Sequence, residues 1–110
     1  MNLNDLKHKS LSFATDLQNT VSAVEDPKGA ILRRQVLKSG ETISSLYLND
    51  QFDKMVFLED EEKAIKEAMY WVYMLYSIHC ISAQVFKTLK TSADHLLKSV
   101  SEMMSRNEIE

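Results

Sequence analysis

The sequence predicts an all-α protein folded as an antiparallel up-down-up-down four-helix bundle. Three observations carry this. Only two glycines and one proline punctuate 110 residues, too few breaks for a succession of hairpins. Strong helix formers (Ala, Leu, Lys, Glu, Met and Gln) dominate the chain. Apolar residues return every three or four positions through four long segments, the period of an amphipathic helix.

The first helix is placed at about residues 3–24, where Leu6, Phe13, Ala14, Leu17, Val21 and Val24 share one face. Asp26 followed by Pro27 is a helix start, because the aspartate side chain can satisfy free amides and proline in the first turn loses no hydrogen bond. The second helix therefore spans about 27–50, with Ile31, Leu32, Val36, Leu37, Ile43, Leu46 and Tyr47 as its apolar set. Gly40 lies inside it at a cost of about 1 kcal/mol relative to alanine, which suggests close approach of a neighbouring helix. The third helix spans about 53–78 and opens at Asp53; its acidic run Glu59, Asp60, Glu61 and Glu62 reads as a solvated face. Ser82 caps the fourth, at about 82–106, where Val85, Phe86, Leu89, Ala93, Leu96, Leu97, Val100, Met103 and Met104 keep the cleanest helical rhythm of the four. The polar end, 105–110, is expected to fray. Short connections make successive helices antiparallel neighbours, and 45% apolar residues suffice for a single core, so 1–110 reads as one domain.

Composition also narrows the function. Cys80 is the only cysteine and no apolar leader follows Met1, which points to a reducing cytoplasm. The longest apolar run, from Ala68 into Ile78, falls short of the roughly 20 residues a membrane span needs. A formal net charge of −3 advertises no polyanionic partner. His8, His79 and His95 lie on different segments, and no Glu-x-x-His pair is present to build the di-metal site of carboxylate bundles. His79-Cys80 could form a nucleophilic pair, but no third group to orient it is evident, and a structural role for the cysteine is expected. The reading is a protein without catalytic residues, cofactor, metal or small-molecule substrate.

The most informative stretch is Ala68-Met69-Tyr70-Trp71-Val72-Tyr73-Met74-Leu75-Tyr76. A helix apolar most of the way round cannot satisfy itself with one core face. Either it is central with tyrosines at the rim, or its outer side, with Tyr70, Tyr73, Met74 and Tyr76, packs on another subunit. The second reading, a homo-oligomer, is favoured. Basic residues Arg33, Arg34 and Lys38 on helix two, and Lys87, Lys90, Lys98 and Arg106 on helix four, could form stripes for phosphate contact. Neighbouring acids make an ordinary solvated face the simpler account, and in sequence no aromatic residues are interleaved with these bases for stacking.

Several segments together resemble the bacterial four-helix-bundle proteins, also called 23S rRNA intervening-sequence proteins. They are Ser12-Phe13-Ala14, Leu37-Lys38-Ser39-Gly40-Glu41-Thr42-Ile43, Glu67-Ala68-Met69-Tyr70-Trp71-Val72 and Ile81-Ser82 with Phe86 and Leu89. In that family helix two continues through Ala-Asn-Ile-Ala-Glu; here the asparagine position is Leu46 and the glutamate position Asn49. The family's Gly-Tyr turn is His79-Cys80, and loss of the glycine suggests a different helix end. The resemblance implies a non-catalytic scaffold that assembles as a ring-like homopentamer, as does the related accessory protein of diversity-generating retroelements. That relative is basic and binds nucleic acid and a reverse transcriptase, so the alternative reading here is a nucleic-acid-binding accessory protein acting with such an enzyme.

Overall fold

The structure, a computed structural model, describes residues 2–46 and 53–109. Four helices follow one another: α1 Leu3–Ser22, α2 Ala30–Ser45, α3 Lys54–Ser77 and α4 Ala83–Ile109. Each packs on its neighbours in sequence, and α1 closes on α4. The result is the four-helix bundle read from the sequence, 48 Å along its long axis. α2 and α4, which share α1 and α3 as neighbours, stand at opposite corners.

Local chemistry sets the helix ends. Asn2 accepts from the Asp5 amide at 2.8 Å, Asp53 from the amides of Met55 and Val56 at 2.8 and 3.1 Å, and Ser82 from that of Val85 at 3.1 Å. Each side chain answers an amide that a first turn would leave unpaired. Asp26 caps in the same way, accepting from the Lys28 amide at 3.0 Å. It opens a 3₁₀ turn over Pro27–Gly29, however, and α2 begins only at Ala30. α1 stops at Ser22, two residues short of the expected Val24, which is buried beyond the helix end. The polar segment after Ser105 continues α4 to Ile109. The expected end of helix two near residue 50, with Tyr47 and Asn49, falls outside the described residues.

The core runs the length of the bundle, from Leu6 and Phe57 to Val21 and Leu75. On α4 it takes Leu89, Ala93, Leu96, Val100 and Met103, while Leu97 is only half-buried. Two expectations about faces need correction. Glu61 is not part of a solvated run: it is fully buried. It stands three residues after Leu58 and four before Ile65, so helical phase places it on the core stripe although its neighbours in sequence point outward. Ile31 is 71% exposed, because it falls outside the stripe that Val36, Gly40 and Ile43 define.

The end of α3 falls where the sequence put it, near residue 78. His79 has a φ of 64°, its amide bonds the Tyr76 carbonyl at 3.0 Å and the Cys80 amide bonds the Leu75 carbonyl at 2.9 Å. These two bonds make a Schellman end, the arrangement glycine favours, here with histidine in the left-handed position. The left-handed backbone puts strain on His79, whose β-carbon is crowded there.

Candidate oligomer interface

α3 divides its apolar surface between the core and the outside. Ala68, Val72 and Leu75 recur at four- and three-residue spacing and are buried. Residues between them are carried outward by the same 3.6-residue period. Tyr70 and Tyr73 are 56% and 54% exposed, whereas Met69, Trp71, Met74 and Tyr76 are half-buried.

Ring contacts tie several of these side chains to their neighbours. Tyr73 meets Phe86 of α4 edge to face, with ring centres 5.9 Å apart. Tyr76 stacks flat on the same ring at 4.7 Å and 4°. Tyr70 sets its ring against Trp71 at 4.9 Å and 74°. Between α3 and α4 a groove of about 340 Å³ opens, lined by Met69, Tyr70, Tyr73, Phe86 and Leu97 with Lys66, Lys90 and Asp94 at its rim. Met74 is half-buried and is not in the lining of this groove, but it stands four residues after Tyr70 and so lies beside it on the outer side of α3. Of the four residues expected at an interface, Tyr70 and Tyr73 are the most exposed and line the groove, while Tyr76 and Met74 are half-buried and outside its lining. Phe86 and Leu97 complete the surface. Sequence reading placed them in the core set of α4, because both keep its period.

Electrostatics at the groove are mixed. Lys90 donates to Asp94 at 2.8 Å and Lys66 lies 3.5 Å from Glu62, each along one helix in the i, i+4 relation. Such exposed pairs contribute about 0–1 kcal/mol and leave the rim with both signs. The basic residues considered for phosphate contact are scattered by the topology. Arg33, Arg34 and Lys38 sit on α2 and Lys87 and Lys90 on α4, at opposite corners of the bundle. Arg33 is engaged locally, its guanidinium donating to the Val24 carbonyl at 3.3 Å. In one respect the structure corrects the sequence reading: Lys90 shares a groove with Tyr70 and Tyr73, which belong to the preceding helix, as well as with Phe86 one turn before it on α4.

His79 is exposed, and Cys80 is half-buried with its sulfur against Gly29. His8 and His95 are exposed on α1 and α4. Among the described residues no three His, Cys, Asp or Glu side chains gather closely enough to hold a metal ion, and no helix is long and apolar enough to cross a membrane. In comparisons with known proteins, no family model, no curated protein and no solved structure matches this chain.

Proposed function

We propose that this protein is a non-catalytic scaffold that works by assembling with copies of itself, and that the α3/α4 groove is the surface it assembles through. The observation that carries the reading is the outward pair Tyr70 and Tyr73 over an apolar groove floor of Met69, Phe86 and Leu97. Exposed apolar surface rimmed by polar groups marks interaction sites, and aromatic residues and methionine are the types enriched there. A second copy would remove this surface from water without having to strip an uncompensated charge, because the rim carries both signs. The sequence resemblance to the intervening-sequence family adds a specific form, a closed ring of five subunits in the reducing cytoplasm. Sedimentation equilibrium across micromolar concentrations tests the reading: a mass that is a multiple of the chain supports it, and a monomer throughout overturns it.

A second reading, nucleic-acid binding as an accessory protein, gains one observation from the structure. Tyr70, Tyr73 and Phe86 lie beside Lys66 and Lys90, the combination of rings and cations that single-stranded nucleic acid uses. Against it, both lysines are paired with carboxylates and the chain is acidic overall. Labelled single-stranded RNA or DNA that fails to bind at low salt would remove this reading, since phosphate contacts are strongest there.

A further inference from the structure

We draw no further inference here: the strongest candidate, the cleft of about 260 Å³ between α1 and α4 lined by Lys9, Asp16 and His95, has no buried polar residue in its lining, so nothing in the structure shows what would occupy it.

Discussion

Gly29 lies against Cys80: a β-carbon added to the glycine would sit 2.8 Å from the cysteine sulfur and 3.2 Å from a methyl group of Val24. Space demands the glycine, since its φ of −95° and ψ of 0° are open to other residues. The contact joins the start of α2 to the turn between α3 and α4, where the sulfur packs into the end of the core. Gly29→Ala should therefore destabilise the fold by about 1–3 kcal/mol, as overpacking does. Pairing it with Cys80→Ala should recover part of the loss, because the nearest clashing atom is removed. A double-mutant cycle in urea reads the coupling; strictly additive losses would show that the two residues do not compete for the same space.

Gly40 should behave in the opposite way. It is buried on α2 facing α1, but an added β-carbon would meet the Ala14 carbonyl oxygen at 3.7 Å, ordinary contact. The helices come close there without requiring glycine. Gly40→Ala should raise stability by up to about 1 kcal/mol through helix propensity, seen as a higher urea midpoint. A lower midpoint would mean that α1 and α2 approach more tightly than this distance.

His79 carries a backbone conformation that costs a residue with a β-carbon about 1–2 kcal/mol. Glycine removes that strain but loses more chain entropy on folding, about 0.5–1 kcal/mol. His79→Gly should leave a net gain of about 0.5–1 kcal/mol, whereas His79→Val should destabilise, since branching at the β-carbon fits the left-handed region worst. Thermal melts of the two variants should move in opposite directions; movement in the same direction would place the strain elsewhere.

Leu96 and Leu97 are adjacent in sequence and differ in environment. Leu96 is 3% exposed in the core, while Leu97 is half-buried at the α3/α4 groove. Leu96→Ala should cost about 2–5 kcal/mol, the range of buried leucine truncations, and Leu97→Ala distinctly less. Equal losses in denaturant titration would show that the groove is closed to solvent.

The contrast shows where the sequence was legible. Four helices and most of the core followed from period alone, because Leu6, Phe13, Leu17 and Val21, or Leu89, Ala93, Leu96 and Val100, can share a face in only one way. Period reports position round a helix and not the width of the buried stripe, so Ile31 and Leu97 were read as inside. Composition misled at Glu61, where four consecutive acids suggested solvent although phase put one of them inward. At the α3/α4 surface, Tyr70 and Tyr73 could be found because α3 has more apolar surface than a core can cover. Phe86 could not, since its place beside Tyr73 and Tyr76 depends on how two helices align. The end of helix three near residue 78 was legible, but the left-handed backbone of His79 was not, since no local signal marks a histidine that adopts a glycine conformation.

Assembly is the prediction on which the functional reading stands. Tyr70 and Tyr73 are three residues apart and therefore neighbours on one helix face, and both are more than half exposed. Neither belongs to the buried core. Replacing both with glutamate would place two charges over the apolar floor of Met69, Phe86 and Leu97. The isolated fold should tolerate this, because exposed substitutions usually change stability by less than about 0.5 kcal/mol; the ring contacts of Tyr73 with Phe86 and of Tyr70 with Trp71 are the intramolecular packing at risk. An interface should not tolerate it, since each charge would have to leave water without a partner on association. Tyr70→Glu/Tyr73→Glu should then sediment as smaller species with the helical circular-dichroism signal retained. The same change at Ile31, an exposed apolar residue on a different helix, provides the control: Ile31→Glu should leave the mass unchanged if the α3/α4 groove is the contact. A variant pair that assembles like the parent, or an Ile31→Glu variant that alone dissociates it, would move the interface off this groove.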